Sequence, residues 1–199
     1  EASGKILFFF FFNVRDAARA YRRVAMLRPG DEAAAFQAAR FCEDHELWLD
    51  LQSCAQQFSE AFAGSADLAY WRALAEEKLG NTDLALTQYE ALVQSPAYPP
   101  KALAALAELL TQRGRVEEAK ARLDAAIDGK PDSAILRAYR ADRFIRRNQF
   151  VEAEKDIEEA LRLGHEIPEV LLAAGRLHVA RRDWNKAKEF AESYLKSRP

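Results

Sequence analysis

The chain has few of the residues that interrupt regular structure. Eight Gly and seven Pro, 15 of 199 residues, fall far below the share of about 25–30% that marks low-complexity or disordered tracts. Only two cysteines occur, Cys42 and Cys54, too few for a multi-bridge scaffold. Both lie inside helical patterns and are expected as buried free thiols, which leaves cytoplasm and bacterial periplasm both open. The three histidines limit metal and general-base chemistry. Neither sign of charge dominates: 29 basic and 31 acidic side chains leave a net charge of −2, so the basic surface typical of non-specific nucleic-acid binding is missing and no nucleic-acid partner is expected. The longest apolar run, Ile6 to Phe12, is far shorter than the roughly 20 residues a membrane-spanning helix needs, and no small-residue cleavage site follows it. Phe8 to Phe12 reads as a damaged or truncated first helix. Phosphate-cradling G-x-x-x-x-G-K-[ST] and G-x-G-x-x-G motifs and the G-x-S-x-G nucleophile elbow are also missing, so no enzyme or cofactor is predicted.

What remains is rich in Ala and Leu, with 49% apolar and 30% charged residues, the composition of a folded, all-α protein. A period of 34 residues runs through it. Ala85, Ala119, Ala153 and Ala187 lie 34 apart, and stepping back reaches Leu51 and Ala17. A second small-residue column runs through Ala39, Ala73, Ala107, Ala141 and Gly175. Between the columns lies a polar turn: Gly80-Asn81, Gly114-Arg115, Asn148-Gln149 and Arg182-Asp183, with Glu46-Leu47 and Phe12-Asn13 as degenerate members. Within each unit, apolar residues recur at three- and four-residue steps on both sides of the turn, which predicts a helical hairpin. In one unit Leu103, Leu106, Ala107 and Leu110 face Val116, Ala119, Leu123 and Ile127. There Ala107 and Ala119 are expected to allow close backbone approach.

A 34-residue helix-turn-helix with a small residue in its first helix, Gly at the turn, Ala opening the second helix and a closing Pro resembles the tetratricopeptide repeat. Leu103 to Pro131 and Leu171 to Pro199 are the best instances, and 31–65 the weakest unit. The resemblance implies a right-handed α-α solenoid built as one repeat domain: a partial unit at 1–30, then 31–65, 66–99, 100–132, 133–166 and 167–199. Pro199 falls where another unit would start, so the chain is expected to continue into flanking repeats of a longer protein. The family's first helices line a groove that holds a peptide or helix of a partner, so a protein-interaction scaffold is the expected function. The alternative is the periplasmic part of a bacterial outer-membrane polysaccharide exporter that docks modifying enzymes or guides a charged polymer.

On the first helices, the helical phase selects Phe36, Arg40, Tyr70, Leu74, Asp142, Leu172 and Arg176 as groove residues, with Tyr70 and Leu74 the leading anchor pair. Asp142 is expected to orient Arg176 by a salt bridge. The lysines and asparagines with which chaperone-tail adaptors clamp an acidic C-terminus are too few along these stripes. Charge is uneven, with 9 basic and 14 acidic residues in 1–99 and 20 and 17 in 100–199. In the basic half Arg137, Arg140, Arg143 and Arg147 form one helical stripe, a candidate site for an anionic ligand or polymer. The competing reading assigns Arg147, with Arg113 and Arg181 at the same register, to the helix dipole. Arg140 and Arg72 stand at core positions: either their stems lie along the core edge with the heads in water, or they pair with acids of a neighbouring helix, with Asp142 and Glu76 as candidates. Cys42, His45 and Glu46 share a turn but supply only three potential ligands, so no metal is predicted. His178 is expected to be packed rather than catalytic.

Overall fold

The computed structural model describes residues 14–197, and among them every regular element is α-helical. The Phe8 to Phe12 segment and the closing Pro199 lie outside the described residues. Eleven helices follow one another: α1 Val14–Met26, α2 Glu32–Asp44, α3 Trp48–Ala61, α4 Ala66–Lys78, α5 Thr82–Leu92, α6 Pro100–Gln112, α7 Val116–Gly129, α8 Ala134–Arg146, α9 Phe150–Gly164, α10 Pro168–Ala180 and α11 Trp184–Ser197. Starts are marked where the sequence offers a cap. Asp31 Oδ1 accepts the Ala34 N–H at 3.1 Å, Ser133 Oγ accepts that of Leu136 at 3.3 Å, and Pro168 opens α10, where its missing N–H costs nothing.

The turns carry the period most sharply. Glu46, Gly80, Gly114, Asn148 and Arg182, each 34 residues after the last, all adopt positive φ, at 55°, 88°, 77°, 58° and 61°. In each turn the N–H of the next residue reaches back five positions: Leu47 to Cys42, Asn81 to Glu76, Arg115 to Leu110, Gln149 to Phe144 and Asp183 to His178, at 2.8–2.9 Å. The positive-φ residue itself bonds three back, as in Gly80 to Glu77 at 3.1 Å and Arg182 to Val179 at 3.0 Å. This is the Schellman closure, which satisfies the last carbonyls of a helix and reverses the chain within two residues. Glycine fills the position without strain in two turns; Glu, Asn and Arg occupy it in the others at a steric cost.

The chain divides into two compact units, residues 1–105 and 106–199. In the first, each of α1 to α5 packs on its sequence neighbour, and α2 also touches α4, so first helices of successive hairpins lie side by side. Its core includes Ala35, Ala38, Ala39, Leu51, Ala55, Leu68, Ala73, Ala75 and Ala85, all at 0% exposure. Leu51 therefore fills the place of the alanine found there in other units.

The second unit repeats the scheme, with α7 to α11 packed in order and α8 also touching α10. Ala134, Ala138, Ala141, Ala153, Ile157, Ala160, Val170, Ala173, Ala174 and Leu177 form its core, flanked by Phe144, Phe150 and Phe190. Most of these core residues are Ala, so the helices approach closely and the bulk is supplied by the flanking rings. Ala107 and Ala119 are 0% and 2% exposed, as the close-approach reading requires. Where α10 has Gly175, a Cβ would sit 3.6 Å from Phe190 Cβ, an ordinary contact.

Candidate functional site

The faces built by neighbouring first helices differ between the two units. In the first unit, α2 and α4 bring Phe36, Glu43, Tyr70 and Trp71 together. Phe36 meets Trp71 edge-on at 5.4 Å between centroids, and Trp71 Nε1–H donates to Glu43 Oε2 at 2.6 Å. Lys101 Nζ lies 4.1 Å from the Tyr70 ring centre and 4.8 Å from that of Trp71, a cation held over two aromatic faces. Tyr89 is fully buried and its hydroxyl donates to Glu77 Oε2 at 3.1 Å; burial first, then the Glu77 carboxylate, drives its ionisation well above the usual phenol range.

This geometry corrects the sequence expectation for the anchor pair. Tyr70 and Leu74 are each only 6% exposed, so they are packed rather than offered to solvent. The reason is that α4 is covered on most of its circumference: Leu68, Tyr70, Trp71, Ala73, Leu74 and Ala75 are all buried. Phe36 is half-buried, and Arg40 is exposed, with Asp44 at 3.9 Å one turn on. Glu76, itself buried, accepts from Gln52 Nε2 at 2.8 Å and Asn81 Nδ2 at 2.7 Å, so it is not the partner of Arg72. Arg72 is exposed instead.

In the second unit a line of alternating charges crosses the first helices. Glu108 of α6 pairs with Arg143 and Arg146 of α8; Arg146 Nε–H donates to Asp142 Oδ2 at 3.0 Å, and Arg176 Nη1–H of α10 donates to Asp142 Oδ1 at 2.7 Å. The Asp142 to Arg176 bridge is the one expected from the sequence. Beside it Leu172 is 38% and Val179 51% exposed, two apolar side chains on the same stripe of α10 as Arg176.

Three of the four arginines in the stripe are committed within the protein. Arg140 donates through Nε and Nη2 to the two Asp156 oxygens, both at 2.7 Å, and through Nη1 to Asp124 Oδ1 at 2.7 Å. Arg137 donates to the Pro131 carbonyl at 3.1 Å and stands 3.7 Å from Asp156; Arg143 is paired with Glu108; Arg147 closes α8 through its backbone N–H. Carboxylates of α6, α7 and α9 already pair with Arg137, Arg140 and Arg143, so the candidate anionic-ligand site is not supported. The expected partner of Arg140, Asp142, is also corrected: Asp156 on α9 and Asp124 on α7 flank it. Asp156 is 4% exposed, and its hydrogen bonds hold the Arg140 guanidinium above even its ordinary range.

Cys42 and Cys54 are free and buried in the first unit; a thiol–thiol hydrogen bond, then burial, hold the Cys42 proton far above the usual thiol range. His45 lies exposed against Phe41 at 4.3 Å. No three His, Cys, Asp or Glu side chains among the described residues converge as metal ligands. His178 stacks on Phe190 at 5.5 Å, with Nδ1 3.4 Å from Asp183 Oδ2, a packed histidine. No helix among the described residues is long and apolar enough to cross a membrane.

Sequence reasoning missed Trp71, Lys101, Asp124 and Asp156. Only the last two left a signal, as acidic residues 16 positions before and after Arg140, a spacing that a hairpin turns into a contact.

The family profile described as tetratricopeptide repeat matches residues 67–97, the hairpin of α4 and α5. No curated protein matches the chain. Among solved structures, a thermophilic tetratricopeptide protein of Thermus thermophilus aligns with TM-score 0.67 at 19% identity, covering 85% of this chain and 92% of its own. PilW, a widely conserved type IV pilus biogenesis factor, aligns with TM-score 0.59 at 16% identity over 93% and 86%. YrrB, a tetratricopeptide protein with an unusual peptide-binding site, aligns with TM-score 0.50 at 13% identity over 92% and 94%. The chain is thus a helical repeat array whose hairpin at residues 67–97 matches the tetratricopeptide repeat and whose fold is similar to that of these solved tetratricopeptide proteins.

Proposed function

We propose that the chain is a protein-interaction scaffold that holds a partner's peptide segment along the first-helix face of its second unit. The observation that carries this reading is the pairing of exposed apolar side chains with oriented charge: Leu172 and Val179 open to solvent on α10, beside the Arg146, Asp142 and Arg176 line. Apolar anchors gain area when covered, and charges held in place by their neighbours set register without being reorganised on binding. The peptide-binding site of the structural neighbour YrrB supports the class of ligand. In the first unit Phe36 and Arg40 remain candidate contacts, whereas Tyr70, covered by Lys101, and the buried Leu74 act through packing.

The test is selection of displayed random peptides on the whole chain, with binding of the selected peptides remeasured on a Leu172→Asp, Val179→Asp variant and on Arg176→Glu. An enriched family with apolar residues spaced for α10, weakened at least about tenfold by the first variant, is the expected result. Peptides that bind both variants as they bind the wild type would remove this face from consideration.

A further inference from the structure

The open end of the hairpin formed by α4 and α5 contains a cavity of about 400 Å³ that the first-helix face does not use. The C-terminal end of α3, the start of α4 and the end of α5 enclose it. Its floor is apolar, from Phe62, Ala69 and Leu92, and its polar groups include Ser65, Arg72 and Gln88.

One of these groups lacks a partner it requires, and a second is uncommitted. Gln88 Oε1 is buried without a hydrogen-bond donor, and a buried acceptor in that state is unstable relative to one that has a partner. Arg72 forms no ion pair among the described residues, whereas Arg140, Arg143, Arg176 and Arg181 are each bound to a carboxylate. Arg72 of α4 and Gln88 of α5 both line the cavity. Ser65, the N-cap of α4, makes no side-chain capping bond, so its hydroxyl is also uncommitted. The cavity therefore presents a cation suited to bidentate contact with a carboxylate, an acceptor that needs an N–H, and an apolar floor.

We propose that this cavity binds an α-amino-acid unit with an apolar side chain and a free carboxylate. The carboxylate lies on the Arg72 guanidinium, the α-nitrogen donates to Gln88 Oε1, and the side chain rests on Phe62 and Leu92. At about 400 Å³ the cavity is at the small end of ligand sites, which suits one residue rather than a longer segment. The unit is either a free amino acid or the last residue of a chain, since both carry the same three features.

Titration of the isotope-labelled full chain, followed by amide chemical shifts, tests this with three probes: L-leucine, N-acetyl-L-leucine and L-leucinamide. Saturable shifts at residues 65–72 and at Gln88 with leucine point to a free amino acid, and with N-acetyl-leucine alone to a chain end. In both cases leucinamide, which lacks the carboxylate, is expected to bind at least about tenfold more weakly, and Arg72→Gln to reduce affinity by the same factor, about 1.4 kcal/mol. Gln88→Leu removes the unpaired acceptor and should raise the melting temperature while abolishing the shifts, which a merely structural glutamine would not do. No saturable shift with either acid at about 10 mM, weaker than a two-point polar contact in a preformed site provides, overturns the proposal. Equal binding of leucinamide, or undiminished binding by Arg72→Gln, overturns it as well.

Discussion

Replacing Arg140 by Leu is expected to destabilise the second unit far more than a surface arginine would. Arg140 makes three charged hydrogen bonds at 2.7 Å, two of them to Asp156, whose side chain is only 5% exposed. Breaking a buried pair from one side costs about 3–5 kcal/mol, because the remaining charge is left desolvated. Two features lower that figure here: the Arg140 side chain is itself 21% exposed, and Arg137 stays 3.7 Å from Asp156. A loss of about 2–4 kcal/mol follows, or roughly 5–15 °C in melting temperature for a chain of this size. Asp156→Leu alone leaves Arg140 with Asp124 and should cost less, about 1–3 kcal/mol. The double variant removes both charges and supplies Leu at a position where the preceding unit has Leu106, so it should lose only about 0–2 kcal/mol, giving a coupling of about 2 kcal/mol or more. Urea unfolding followed by helical ellipticity measures all three, with an unchanged denaturant slope as the control that compactness is preserved. A single variant within about 0.5 kcal/mol of wild type, or a double variant equal to the sum of the singles, would refute the account.

Three further outcomes are expected. Arg182→Gly should stabilise the protein by about 0.5–1 kcal/mol, since a φ of 61° strains a side-chain-bearing residue, and a lower urea midpoint would contradict the assignment of that turn. Gly175→Ala should likewise gain about 0.5–1 kcal/mol, because the new methyl meets Phe190 at ordinary contact distance in a helix interior; a thermal melt showing a loss would mean that α10 and α11 are closer than described. Glu118, Glu154 and Glu159 are held below the ordinary carboxylate value of 4.5 first by hydrogen bonds from Arg122, Arg181 and Arg162 respectively. Their folded-state values are depressed, so the stability they contribute is present above pH 4.5 and is lost as pH falls through the folded values. A urea midpoint that declines below that pH, and declines less in about 1 M salt, is the expected signature; a flat profile would remove these pairs from the stability of the fold.

The hairpins were legible because their determinants are local. Ala39, Ala73 and Ala141 stand at the register read from the sequence and are fully buried, since a small residue at a helix crossing is required by distance alone. The turn was legible in part: Gly80 and Gly114 signal positive φ, but Glu46 and Arg182 adopt it without a signal, because the Schellman bonds on either side impose it. Long side chains were least legible. Helical phase places Arg140 near Asp142, yet the guanidinium reaches across to α7 and α9; the same phase leaves Tyr70 open, yet Lys101 covers its ring. Phase gives the direction in which a side chain leaves its helix; which group meets its far end depends on neighbours one hairpin away.

The line from Glu108 through Arg143, Arg146 and Asp142 to Arg176 has a kinetic consequence. It joins three guanidinium groups to two carboxylates at contact distance, so a single net positive charge remains and the field beyond the surface is weak. A partner approaching that face is neither drawn in from a distance nor relieved of bound counter-ions on arrival. Its association should therefore run at the unsteered rate of about 10⁵–10⁶ M⁻¹s⁻¹ and change little between low and physiological ionic strength. Discrimination among partners then falls to how long each one stays, which depends on how closely it fits Leu172 and Val179.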